Sequence, residues 1–106
     1  MSQAVTPYMI YIRVPNPPNI TVDPTAAYVP PSGQPVRFQL EDGGTSLTIS
    51  FPDKSPFAAN ILWSGPETFI TADVQPGALG VYHYSVSAMV NGTIYTIPGC
   101  PEIVIQ

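Results

Sequence analysis

The sequence predicts one small all-β domain, a Greek-key sandwich of about seven to eight strands, and three observations carry that expectation. Proline stands at 14 of 106 positions, where average usage of about 5% would place roughly five. Its ring removes a donor and clashes with the preceding turn, so helix interiors reject it. The longest proline-free run, Gly77 to Ile97, is rich in Val, Tyr, Ser and Thr, which on balance favour strands. Finally, alternating apolar and polar segments are parted by turn residues about every eight to twelve positions, the spacing of a sandwich.

The first strand spans Tyr8 to Val14 and ends at Pro15-Asn16-Pro17-Pro18, where three prolines forbid regular pairing. A short second strand, Ile20 to Val22, closes at Asp23-Pro24, and Ala26-Ala27-Tyr28-Val29 pairs briefly before Pro30-Pro31-Ser32-Gly33. Val36 to Leu40 alternates, with Val36, Phe38 and Leu40 toward the core. Glu41-Asp42-Gly43-Gly44 reads as a hairpin, because Asp-Gly and Gly-Gly supply the positive φ of tight turns, and Leu47 to Phe51 returns.

Pro52 to Pro66 breaks the period, a loop of about fifteen residues that is long for a hairpin connection. It carries Phe57, Ile61, Leu62 and Trp63, too apolar for a free linker, and is expected to cover one edge or end of the sandwich. Glu67 to Val74 forms the next strand. Pro76-Gly77 and Gly80 then feed the longest strand, Val81 to Val90, with Tyr82, Tyr84, Val86, Ala88 and Val90 inward and His83, Ser85 and Ser87 outward. Asn91-Gly92 is the strongest hairpin signal; Thr93 to Ile97 pairs back, and Glu102 to Gln106 closes the fold after Pro98-Gly99-Cys100-Pro101.

No repeat or shift in composition divides the chain, so residues 1–106 form one unit. Charged residues make up 9%, against about 25% in a typical domain, so the polar surface consists mostly of Ser, Thr, Asn and Gln. The three basic residues, Arg13, Arg37 and Lys54, are scattered in a chain of net charge −4. With no basic stripe to neutralise phosphates or anionic lipid, nucleic acid and polybasic membrane binding are not expected. Cys100 is the only cysteine, which excludes an intrachain disulfide and a four-cysteine zinc site. Tyr8 to Ile12 is too short to span a membrane and is followed by Arg13, unlike a signal peptide. Localisation stays open, cytoplasmic if Met1 is native.

Gly80-Val81-Tyr82-His83-Tyr84-Ser85-Val86 resembles the cupredoxins, in which a glycine and alternating aromatics lead to the copper cysteine. The strand start Pro35-Val36-Arg37-Phe38 and the corner Phe51-Pro52 look similar too, so the resemblance covers most of the chain as a strand pattern. It implies a cupredoxin-like sandwich. A blue-copper site needs two imidazoles and a thiolate, commonly with a weak axial methionine. In this register Val86 occupies the cysteine position, Met89 a histidine position, and the region directly after Leu40, where the other histidine should stand, has none. The only histidine, His83, lies on the strand face opposite Val86, and Cys100 falls one strand late. The resemblance thus implies the scaffold without its metal, and no cofactor is expected.

No other group of residues makes a convincing catalytic site. His83 with Cys100 would be the thiol-enzyme pairing, yet nothing near Pro-Gly-Cys-Pro would lower the thiol pKa. Glu41, Asp42 and Asp53 could gather calcium, but without EF-hand spacing they read as solvated turn acids. Glu67 and Asp73, six apart on a strand, stand about 20 Å apart, too far for a glycosidase pair. Asn19-Ile20-Thr21 and Asn91-Gly92-Thr93 match the glycosylation sequon, and Asn91 is explained by its turn. Gly-x-Ser-x-Gly, phosphate-loop and paired-histidine motifs are absent.

Phe57, Leu62 and Trp63, with Phe69 nearby, remain as a binding surface for a sugar, a peptide or another subunit, or else as a plug for the sandwich end. The reading is a non-enzymatic structural or binding module acting through loop or strand-edge contacts on a protein partner or a second copy. One lysine in the whole chain leaves few charges to guard those edges. The alternatives are a metal-binding or redox cupredoxin with atypical ligands, and an adhesive immunoglobulin-like or fibronectin-like domain.

Overall fold

The computed structural model describes residues 7–16, 19–30, 35–41, 44–97 and 101–106. These form eleven strands and no helix: β1 (Tyr8–Asn16), β2 (Asn19–Asp23), β3 (Ala26–Val29), β4 (Pro35–Leu40), β5 (Gly44–Ser50), β6 (Ile61–Trp63), β7 (Phe69–Asp73), β8 (Gly80–His83), β9 (Ser85–Val90), β10 (Thr93–Ile97) and β11 (Glu102–Ile105). One layer has the order β2-β1-β4-β7. The facing layer combines β10-β9-β5-β6 with the three-stranded sheet β3-β11-β8, joined where β8 continues through Tyr84 into β9. Neighbours pair antiparallel except β1 with β4 and β3 with β11, which are parallel.

Period-two alternation builds the core between the layers. Val36, Phe38 and Leu40 of β4, and Leu47 and Ile49 of β5, point inward beside Tyr82, Tyr84, Val86, Ala88 and Val90, and all are buried. Their rings interlock edge to face, Phe38 against Tyr84 at 5.7 Å and against Phe57 at 6.2 Å, a geometry that the aromatic quadrupole favours. Asn91 and Gly92 adopt φ of 52° and 78°, the two positive values that a tight β9–β10 hairpin requires.

The structure departs from the sequence reading in four places. The Glu41–Gly44 turn does not make a hairpin: β4 pairs with β1 and β7, β5 with β6 and β9, and the chain crosses between layers there. A reversal signal specifies where a chain turns, not which strand it pairs with; Asp42 and Gly43 themselves lie outside the described residues. The expected loop 52–66 contains β6, whose three residues are too few to display a period. Val81–Val90 divides at Tyr84, which leaves the ladder where the strand changes neighbour from β11 to β10. The described residues thus hold eleven strands rather than seven or eight, in part because β6 is added and Val81–Val90 counts as two.

Candidate functional site

The sheet β10-β9-β5-β6 has an unusual composition. None of the chain's Asp, Glu, Lys or Arg residues lies on its four strands, Thr-Ile-Tyr-Thr-Ile, Ser-Val-Ser-Ala-Met-Val, Gly-Thr-Ser-Leu-Thr-Ile-Ser and Ile-Leu-Trp. The outward positions form cross-strand rows: Trp63, Thr48, Ser87 and Thr96 in one, Ser46, Met89 and Ile94 in the next, and Ile61, Ser50 and Ser85 in a third. Hydroxyl groups thus floor the face, with apolar side chains at its two sides. A shallow groove of about 310 Å³ runs across it, lined by Trp63 and Ile94 with Ser46, Thr48, Ser87 and Met89 between.

Trp63 is held outward by backbone bonds at both ends of β6. Phe51 N–H donates to Asn60 O at 2.8 Å, and Ser64 N–H donates to Leu47 O at 2.9 Å. The buried Ser64 hydroxyl accepts from Leu47 N–H at 2.8 Å, which extends the pairing one residue beyond the strand. Between these clamps Leu62 turns inward and packs on the core, so Ile61 and Trp63 must face solvent. Trp63 is 71% exposed, leaving on the order of 100 Å² of indole in water, or about 2–3 kcal/mol that covering it would recover.

The residues singled out from the sequence therefore separate. Phe57, at 5% exposure, sits inside the core against Phe38 and Phe51. Leu62 is half-buried, and Trp63 alone presents a surface. Phe69 is on the opposite layer, where the Arg37 guanidinium lies 4.1 Å above its ring. That layer's outer face is charged: Arg13 covers Tyr11 at 5.2 Å and bridges to Glu41 at 2.9 Å and Asp23 at 3.6 Å. Guanidinium groups cap the aromatics of one face, and the other face leaves Trp63 bare.

Sequence reasoning missed Ile94 and Ile61, exposed at 63% and 65%. The lack of charge in these four segments was a usable signal, but only the strand order shows that they form one sheet. His83 is exposed, and Cys100 lies outside the described residues. Val86 is buried while Met89 belongs to the outer face, so the two positions aligned with copper ligands point to opposite sides of β9. Among the described residues, no three of His, Cys, Asp and Glu come together as a metal site, and no helix is long and apolar enough to cross a membrane.

The fold and site define an all-β domain with one charge-free sheet. No family model, curated protein or solved structure matches the chain.

Proposed function

We propose that this domain is a non-enzymatic binding or structural module on a cupredoxin-like Greek-key sandwich without copper ligands, and that it works through the sheet β10-β9-β5-β6. The observation that carries the reading is the charge-free sheet with Trp63, Ile61 and Ile94 exposed on it. Exposed aromatic and aliphatic side chains on an uncharged sheet suit an interaction surface, because interface centres are depleted in charge and enriched in Trp and Met. The expected ligand is a protein surface or a second copy, since the sheet offers no ion to recognise a charged ligand.

The Greek-key assignment is supported by the path of the chain, which leaves β6, passes through β7 and β8, and returns as β9 beside β5. Two parallel strand pairs favour a cupredoxin-like arrangement over an immunoglobulin-like one, whose sheets are antiparallel. The non-enzymatic part rests on the sequence, which carries none of the common catalytic motifs.

Light scattering across micromolar to millimolar concentration tests the reading. Wild type should associate, Ile94→Lys should not, and Thr71→Lys, an exposed position on the opposite layer, should behave as wild type. Association that is indifferent to Ile94→Lys, or a wild type that stays monomeric, would count against it.

A further inference from the structure

The edge strand β10 is the least guarded boundary of the fold. The other edges are shortened or carry punctuation: β6 has three residues and runs into Gly65-Pro66, β3 lies between Pro24 and Pro30, β2 and β7 end at Asp23 and Asp73, and β8 begins at Gly80 and ends at His83. β10 has five residues, Thr93-Ile94-Tyr95-Thr96-Ile97, all β-branched or aromatic, without proline, glycine or charge. Strands of this composition at an open edge are templates for pairing with another strand.

The hairpin dictates which backbone groups are open. Val90 and Thr93 flank the two-residue turn as a hydrogen-bonded pair, so Thr93, Tyr95 and Ile97 bond toward β9. Ile94 and Thr96 therefore aim their N–H and C=O groups away from the sheet. Among the described residues, no backbone bond outside the β9 ladder reaches residues 93–97. Strand β2 of the same chain approaches the Ile97 end of this edge across a cleft of about 270 Å³ lined by Ile20, Thr21, Val22, Thr25, Ile97 and Pro101, which leaves Ile94 as the more open end.

We infer that a second copy of this chain pairs antiparallel along β10 across a twofold axis at Tyr95, joining two four-stranded sheets into one of eight strands. This rests on the reading that the charge-free sheet is the working surface, and it names the partner and the register. The strand is complementary to itself about Tyr95. Ile94 meets Thr96 of the second copy, Thr96 meets Ile94, and the open groups of each face the open groups of the other as hydrogen-bonded pairs. Tyr95 meets its own copy as the closer, non-hydrogen-bonded pair. On the outer face, each Ile94 lies diagonal to the other and extends the apolar row from Met89. With no charge on the strand, the axis brings no like charges together, and a self-complementary patch is what a twofold dimer requires. Five residues bury less than the roughly 1,000 Å² of a stable interface, so the dimer is weak and concentration-dependent.

Two variants of the full chain test the inference. Thr96→Pro removes an N–H that serves no bond within the fold, so the hairpin persists by circular dichroism while the dimer constant weakens at least about tenfold. Tyr95→Cys in a Cys100→Ser background places two thiols at the axis, where the non-hydrogen-bonded spacing of about 4.5 Å suits a disulfide, and a covalent dimer should form under mild oxidation. If association survives Thr96→Pro and Tyr95→Cys does not crosslink, the edge pairing is wrong. Sensitivity to Ile94→Lys would then still uphold the charge-free sheet as the working surface. A wild type that never associates overturns both.

Discussion

Phe38 of β4 and Tyr84 between β8 and β9 meet edge to face across the two layers, ring centroids 5.7 Å apart at 75°. Each is fully buried, so this contact ties the charged layer to the layer that holds the charge-free sheet. Phe38→Ala should lower stability by about 3–5 kcal/mol, a large share of the about 5–15 kcal/mol that holds a small domain. Trp63→Ala, by contrast, should stay within about 0.5 kcal/mol of wild type in the monomer. Urea midpoints of the two variants check the pair.

Tyr84 carries a second consequence. Among the described residues its buried hydroxyl has no hydrogen-bond partner, and burial holds the phenol protonated well above its usual range. The unfolded chain loses that proton near pH 10 and the folded chain does not, so stability is complete below about pH 10 and falls above it. The decline should approach about 1.4 kcal/mol per pH unit, and Tyr84→Phe should remove this contribution. At neutral pH the variant should be as stable as wild type or slightly more, because it deletes an unsatisfied group. Thermal melts at pH 7 and above pH 10 measure both effects.

Gly44 opens β5 directly against Leu40, and a Cβ there would run into the Leu40 side chain. Gly44→Ala should therefore cost about 1–3 kcal/mol through overpacking. Pairing it with Leu40→Val should recover part of the loss, a non-additivity that a double-mutant cycle on melting temperature would reveal.

The Arg13 pairs should matter little. Arg13 and Glu41 are each more than a third exposed and Asp23 more so, so solvent screens them. Arg13→Ala should change stability by under about 1 kcal/mol, less in high salt, as denaturation at two salt concentrations would show.

Much of the scaffold was legible in the sequence because strand alternation is a local property. Phe38, Tyr82, Tyr84 and Val86 face inward as their parity required, and the Asn91-Gly92 turn has the positive φ values its residues permit. Pairing is not local. Nothing around Glu41 says that β5 joins β9 rather than β4, and β6 is a strand only because Leu47 and Phe51 bond to its flanks. The candidate site inherits that limit. The sequence groups Phe57, Leu62 and Trp63 as one binding surface or one plug, yet Trp63 is exposed and Phe57 is core, and Ile94 enters only once β10 and β6 are known to share a sheet.

The proposal that the charge-free sheet is a working surface is tested most directly by a concentration series of two-dimensional amide NMR spectra of the full chain. Shifts that grow with concentration should cluster on residues 93–97 and on the outward positions Ser87 and Met89, leaving Arg13, Arg37 and Phe69 unmoved. Shifts centred on the Arg13–Arg37 face, or none at any concentration, would contradict the account.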